Sequence, residues 1–114
     1  MGLKERIDLL EEAKSNCRGT ALFVAGLLDY DRFIDKEKFE GKLEFLDKTK
    51  KPKRGDLVVF RDQANLPMHA GVIVDTKPLS FIYREIMKGA IKNGTVSEYY
   101  HPRFLEITVE YYKV

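Results

Sequence analysis

The chain has 114 residues and carries 20 Lys and Arg against 18 Asp and Glu, which leaves a net charge of +2. This length suits one domain, 1–114, and is too short for two of ordinary size, while the near balance of charge excludes a global field that would draw the protein to nucleic acid. The longest apolar stretch, 20–28, is far shorter than the roughly 20 residues of a transmembrane helix, so we expect no membrane insertion. Cys17 is the only cysteine, which excludes internal disulfides and multi-cysteine metal sites.

Two helices are predicted near the N-terminus. Residues 3–14 have one apolar stripe, which is typical of a helix on the surface of a domain. Asn16 is a favoured N-cap for a second helix over 17–28. This second helix is apolar nearly all round, which indicates that the rest of the domain encloses it.

The middle of the chain has a weaker pattern. Asp35 is predicted to cap a short helix, followed by a turn at Gly41 and a brief strand or turn over 43–46. Five cations fall within 48–54, around a proline, and predict an exposed loop.

The second half of the chain has the period of a β-sheet. The predicted strands are 57–60, 70–74, 79–83 and 105–112. The last of them alternates apolar and polar residues, which predicts one wet face. Asn93-Gly94 predicts a hairpin turn, with 95–100 as the returning strand. Helices first and strands afterwards indicate an α+β fold, with N-terminal helices packed on a small antiparallel sheet.

The candidate catalytic residues are Cys17 and His69. A thiol in the first turn of a helix meets free backbone N–H groups, which stabilise the thiolate. Nucleophilic acyl transfer also needs a base, and His69 begins a buried strand, whereas His101 falls in a polar loop. The alternative reading is that Cys17 is a small buried hydrophobe and His69 a structural residue.

Three segments, in order, resemble the NlpC-type cysteine peptidases of bacterial cell-wall turnover, which are relatives of the CHAP amidases in the papain-like superfamily. They are NCRGTALFV at 16–24, KRGDLVVF at 53–60 and HAGVIVD at 69–75. The resemblance implies a papain-like core, with the sheet as a half-barrel, and a thiol hydrolase in which Cys17 is the nucleophile and His69 the base. It implies a peptide or peptidoglycan-derived substrate and neither a cofactor nor a metal ion.

The third catalytic position of that family is a polar residue on the strand after the histidine strand. Tyr83 falls at this position, and its hydroxyl is able to accept the imidazole N–H. Glu85 is the alternative, because it is two residues further along and therefore on the same strand face. The sequence leaves both open as the residue that orients His69.

Two further alternatives concern function and location. A non-catalytic papain-like binding or regulatory domain would keep the same fold without the chemistry. Nucleic-acid binding through 48–54 is disfavoured, because no aromatic residues are interleaved with the cations. The first 14 residues lack the apolar core of a signal peptide, so we expect a cytoplasmic protein, or an extracellular one if the chain is a piece of a longer protein.

Overall fold

The fold is α+β, as the order of sequence patterns predicts. A computed structural model describes residues 1–11, 15–85, 89–103 and 107–114, and these contain four helices and six strands. The helices are α1 (Leu3–Asp8), α2 (Cys17–Val24), α3 (Lys36–Leu43) and α4 (Val96–Arg103). The strands are β1 (Asp47–Thr49), β2 (Leu57–Arg61), β3 (Pro67–Thr76), β4 (Leu79–Arg84), β5 (Ile91–Thr95) and β6 (Thr108–Lys113). No helix in these ranges is both long enough and apolar enough to cross a bilayer.

The six strands form one open sheet in which every neighbouring pair is antiparallel. Their order is β1-β6-β2-β3-β4-β5, so β1 and β5 are the edges. Strand residues alternate between the two faces, and both faces are covered. Leu57 and Val59 of β2 pack in a core shared with α2 and α3, whereas Val58 and Phe60 pack in a second core to which α4 contributes.

The second predicted helix is enclosed, and it is shorter than predicted. Every residue of α2 except Arg18 is buried, and Asn16 caps it as expected. The helix ends at Val24 instead of continuing to residue 28, because Gly26 adopts a φ of +84°. The N–H of Leu27 then donates to the carbonyl of Leu22 at 2.8 Å, which is the closing bond of a Schellman motif.

The first predicted helix, 3–14, also proves too long. α1 ends at Asp8, and 12–14 lie outside the described residues. The carbonyl of Glu11 accepts a hydrogen bond from Arg84 Nη2 at 2.8 Å. A tertiary contact therefore satisfies a backbone carbonyl that lies beyond the end of α1.

Three predictions for the middle of the chain need correction or refinement. Asp35 caps α3 as predicted, and its side chain accepts from the N–H of Lys38 at 2.8 Å, but Gly41 lies inside the helix instead of forming a turn. Of the two alternatives for 43–46, the turn is confirmed, since the chain turns over 44–46 directly after α3, and the strand follows at Asp47–Thr49, where β6 offers a partner edge. Lys48 therefore belongs to β1, and the exposed basic loop is shorter than 48–54.

The predicted hairpin at Asn93-Gly94 is wrong. Both residues lie within β5, which pairs with β4. The predicted returning strand, 95–100, is instead the start of α4, since Thr95 Oγ1 accepts from the N–H of Glu98 at 3.1 Å. This bond is half of a capping box, and the helix also includes the backbone of His101, which the sequence had placed in a loop.

The predicted wet face of the last strand is confirmed only at Thr108, which is exposed. β6 begins at Thr108, and 104–106 lie outside the described residues. On the face predicted to be wet, Tyr112 is only 4% exposed and packs in the first core. Its hydroxyl accepts a hydrogen bond from Arg61 Nη2 at 3.0 Å. This bond satisfies the polar atom of the buried tyrosine.

Candidate active site

Asn16 determines how the helix that carries Cys17 begins. Its Oδ1 accepts from the N–H groups of Gly19, at 2.9 Å, and of Ile34, at 3.2 Å. Its Nδ2 donates to the carbonyl of Ile34 at 2.8 Å. The start of α2 is therefore tied to the segment that precedes α3. A Cβ at Gly19 would lie 1.7 Å from the carbonyl oxygen of Arg32, so this glycine allows the helix to approach that segment.

Cys17 contacts β3 at the position of His69. The thiol is buried, and its Sγ lies 4.0 Å from the carbonyl oxygen of Met68. The backbone N–H of Ala70 is also directed at the sulfur. Met68 and Ala70 flank His69, so the fold brings the backbone of the predicted base to the predicted nucleophile.

The His69 side chain lies on the second-core face of the sheet and is 1% exposed. Four aromatic rings surround it, from Phe60, Phe81, Tyr83 and Tyr99. Tyr99 is stacked on the imidazole, with ring centroids 4.7 Å apart. The sequence does not single out Tyr99, which reaches His69 only because α4 covers this face.

The two residues proposed to orient His69 differ in their surroundings. The Tyr83 ring meets the imidazole edge-on, with centroids 5.1 Å apart. Glu85 follows the end of β4, is about two-fifths exposed and forms an ion pair with Lys92 of β5. The described contacts therefore bring Tyr83 to His69 and bring Glu85 to a lysine.

The electrostatics of Cys17 differ from the prediction of a stabilised thiolate. Burial raises the pKa of the thiol above its ordinary value, and this effect outweighs the opposing influence of the Arg18 cation and the nearby backbone N–H groups. The helix start does favour the thiolate, as predicted, but desolvation of a charged sulfur is the larger effect. The resting thiol is therefore neutral at pH 7.

Arg18 is a neighbour of the site that the sequence analysis missed. Its Nε donates to the carbonyl of Ile34 at 3.1 Å, and its Nη1 donates to the carbonyl of Pro67 at 3.4 Å. These bonds link α2 to the segment that precedes α3 and to the first residue of β3. A cation beside a cysteine was visible in the sequence, but the carbonyls that hold it come from distant segments.

A buried polar cluster couples the helix of Cys17 to the strand of Tyr83. Arg84 is fully buried. Its guanidinium donates to Asp31 Oδ2 at 2.8 Å and to Thr20 Oγ1 at 2.7 Å. Ser15 Oγ completes the cluster through bonds to Thr20 and Asp31. Sequence analysis missed this cluster, because Arg84 follows an apolar strand and Asp31 lies in an irregular segment.

The surface depressions lie elsewhere. One, of about 430 Å³, is lined by residues of β1 and β6 that include Lys48 and Glu110. Another, of about 290 Å³, is lined by Arg61 and Tyr112 among others. Neither is lined by Cys17 or His69, so neither is part of the candidate site. Within the described parts of the chain, no group of three His, Cys, Asp or Glu side chains is placed to hold a metal ion.

Comparison of the chain with protein-family models, with curated proteins and with solved structures finds no match. The roles considered for Cys17, His69, Tyr83 and Glu85 therefore rest on the sequence and on the geometry described above.

Proposed function

We propose that this protein is a thiol hydrolase that cleaves an amide bond in a peptide or peptidoglycan-derived substrate, with a papain-like core of the NlpC type. The main observation in support is the contact of Cys17 with β3, where Sγ lies 4.0 Å from the carbonyl of Met68, next to His69. A cysteine at a helix start and a histidine on an adjacent strand are the two groups that acyl transfer to sulfur requires.

The reaction begins from a neutral thiol, because burial raises the pKa of Cys17. His69 is the base that takes the thiol proton as sulfur attacks the amide carbon, and the backbone N–H of Cys17 donates to the oxyanion. This step requires the imidazole to turn from the second-core face, where Tyr99 stacks on it, to the face on which α2 packs. The C–N bond then breaks as His69 passes the proton to the leaving amine, which leaves a thioester on Cys17. Water, deprotonated by His69, attacks the thioester and releases a carboxylic acid and the free thiol.

Tyr83 is the residue we assign to orient His69. Its ring already meets the imidazole at a centroid distance of 5.1 Å, and a phenol hydroxyl is able to accept the second imidazole N–H. Glu85 is the weaker alternative, since its carboxylate is paired with Lys92.

A second candidate function is favoured by the burial of both side chains. Cys17 is 5% and His69 1% exposed, which suits a binding or regulatory domain that keeps a papain-like fold without its chemistry. Substrate would reach the thiol only after some of the covering groups move. The two candidates differ in whether Cys17 forms an acyl adduct that depends on His69.

The experiment that tests the proposal is acylation by p-nitrophenyl acetate, followed by mass spectrometry of the intact protein. We expect an acetyl adduct on Cys17 that hydrolyses with time and is absent from Cys17→Ala. In His69→Gln, which keeps a side chain of similar size, acylation should slow by about a hundredfold or more because the general base is lost.

An exposed residue provides the control, and Glu44→Gln should acylate at the wild-type rate. Thermal unfolding of each variant checks that the fold is retained. Equal acylation of wild type and a folded His69→Gln would refute the hydrolase and favour the binding domain.

A further inference from the structure

A basic segment, 48–54, runs from β1 toward β2. It carries five cations and no acidic residue, whereas the whole chain has a net charge of only +2, so the remaining residues together are net negative. Lys48 forms an ion pair with Glu110 at 2.7 Å. No Asp or Glu within the described ranges forms an ion pair with the other four cations, which are exposed and are Lys50, Lys51, Lys53 and Arg54.

Hydrogen bonds hold the backbone of the basic segment at both ends. Thr49 Oγ1 accepts from the N–H of Lys51 at 3.1 Å. Asp56 Oδ2 accepts from the N–H of Lys53 at 2.8 Å, and Asp56 Oδ1 accepts from the N–H of Val114 at 3.2 Å. Because this backbone is already fixed, binding of an anionic ligand to its side chains costs less conformational entropy than binding to an unstructured loop.

A groove beside the basic segment contains an aromatic ring. It is the depression of about 430 Å³ between β1 and β6. Its lining residues are Lys48, Thr49 and Lys50 from the basic segment and Val109, Glu110 and Tyr111 from β6. Thr49 is paired with Tyr111 in the register of the two strands. The tertiary structure therefore places an aromatic side chain next to cations that are far from it in sequence.

The groove and the basic segment together match a single-stranded nucleic acid. Proteins bind such strands with cations that follow the phosphates and with aromatic rings on which the bases stack. The Tyr111 ring packs partly against the second core, which fixes it in position for stacking. Glu110, the acidic residue of the groove, is bonded to Lys48 and Arg61, so its charge is compensated before a phosphate arrives.

We propose that this groove binds single-stranded nucleic acid, with one base stacked on Tyr111 and the adjacent phosphates neutralised by Lys50 and the cations that follow it. The sequence pattern alone disfavours this ligand, because no aromatic residue lies among the cations of 48–54. Tyr111 supplies the aromatic residue from another strand. The site shares no residue with the candidate active site, so this inference is independent of the thiol hydrolase.

The test is fluorescence anisotropy of the full chain with a labelled oligothymidylate of about 16 nucleotides. Neutralising four phosphates of a single strand gives a slope of about −2.8 for the logarithm of affinity against the logarithm of salt concentration. We therefore expect binding that weakens by about fiftyfold between about 50 and 200 mM salt. No binding at the lower salt concentration would overturn the proposal.

Charge and stacking are tested by separate variants. The double variant Lys50→Gln, Lys51→Gln should reduce the salt slope to about half, because two of the four cations are lost. Its matched control is Lys36→Gln, Lys38→Gln, which removes the same charge from exposed positions of α3 and should leave the slope unchanged. Tyr111→Leu keeps an apolar side chain against the second core and should weaken binding by about fivefold or more at the wild-type slope.

Two further ligands separate the stacking of a base from the attraction of charge. An abasic strand has the same phosphates without bases, and polyglutamate represents an acidic polypeptide. Each should bind about fivefold or more weakly than oligothymidylate, as the loss of one stacked base requires. Equal affinity for either ligand, or wild-type affinity in folded Tyr111→Leu, would overturn the proposal.

Photocrosslinking keeps the proposal testable if Tyr111→Leu does not fold. The wild-type protein is irradiated with a strand that contains 5-iodouracil, and the crosslinked residue is identified by mass spectrometry. A base stacked in the groove should crosslink to Tyr111. Crosslinks confined to other residues would contradict the proposed site.

Discussion

At the scale of single residues, burial decides the chemistry of Cys17. The position of this residue in the chain predicts a stabilised thiolate, because it opens a helix. The fold places the thiol against the backbone of β3, away from water, and its pKa rises. A neutral resting thiol needs a base at the moment of attack, which makes the role of His69 more important than in a preformed ion pair.

The first prediction concerns the alkylation of Cys17 by iodoacetamide. Only the thiolate reacts, so the raised pKa should move the pH profile of the native protein above that of the urea-unfolded chain. The folded state also holds the thiol proton more tightly. The protonated thiol of Cys17 therefore stabilises the folded protein fully at pH values below the pKa of this thiol in the unfolded chain. This stabilisation is lost as pH rises through the pKa of the thiol in the folded protein. A native profile shifted toward acid would show that Arg18 and the helix start outweigh burial.

The second prediction separates the two residues proposed to orient His69. Tyr83→Phe removes a hydroxyl and keeps the ring that contacts the imidazole. It should slow acylation of Cys17 by about two- to tenfold, which corresponds to one neutral hydrogen bond. Glu85→Gln should change the rate by less than about twofold, because that carboxylate is paired with Lys92. The reverse order of effects would assign the orienting role to Glu85.

At the scale of elements, ion pairs stabilise the half of the sheet that contains β1, β6 and β2. The sequence patterns predict the outer two of these strands, β1 and β6, least accurately. Glu110 of β6 accepts hydrogen bonds from Lys48 of β1, at 2.7 Å, and from Arg61 of β2. Arg61 also forms a two-pronged pair with Glu40 of α3, at 2.7 and 2.8 Å. These contacts explain why the predicted wet face of β6 is partly covered at Glu110 and buried at Tyr112.

The third prediction concerns acid unfolding. Burial acts to raise the pKa of Glu110, but bonds from Lys48, Arg61 and Tyr112 lower it from 4.5 to about 2. The carboxylate therefore stabilises the fold above its unfolded pKa and loses this effect as pH falls from 4.5 to about 2. This shift limits the loss to about 3 kcal/mol of unfolding free energy at most, and solvent around the exposed Lys48 side chain makes it smaller.

Urea unfolding at a series of pH values is the measurement. Glu110→Gln should flatten the acid limb of the stability curve, while Glu44→Gln, at an exposed position, should leave it unchanged. An acid limb that is the same in wild type and Glu110→Gln would contradict the assignment.

At the scale of the whole molecule, one buried arginine joins the helical layer to the sheet. Arg84 of β4 bonds Asp31, Thr20 of α2 and the carbonyls of Glu11 and Gly89. Three of these partners, Glu11, Thr20 and Asp31, are separated from Arg84 by 53 to 73 residues in the chain. The arrangement keeps the helix that begins at Cys17 against the strand that carries Tyr83.

The fourth prediction follows from this burial. Arg84→Met leaves the carboxylate of Asp31 buried without its cation, and Asp31→Leu leaves the guanidinium without its anion. Each should lower the unfolding free energy by about 3–5 kcal/mol, and the double variant should lose less than the sum. The exposed pair of Arg32 and Asp29, at 2.8 Å, is the control, and its removal should cost less than about 1 kcal/mol.

Urea unfolding of the four proteins in each cycle provides the free energies. Additive losses at Arg84 and Asp31 would show that the two residues do not act as a pair.

The sequence by itself determined the α+β class, the caps at Asn16 and Asp35, the enclosed character of α2 and the three central strands. These features depend on local signals, namely the spacing of apolar residues and the side chains that bond nearby N–H groups, and such signals are complete within a few residues. The same locality explains why the motif at Cys17 and the strand at His69 were visible.

Only the tertiary structure decided the features whose partners are remote. The carbonyl of Glu11, beyond the end of α1, is bonded by Arg84 of β4, and Asn93-Gly94 joins a strand because β4 offers it hydrogen bonds. The pKa of Cys17 depends on what buries it. A periodic pattern reports which face of an element is apolar, but it carries no information about which distant group will pair with a charge or cover a thiol.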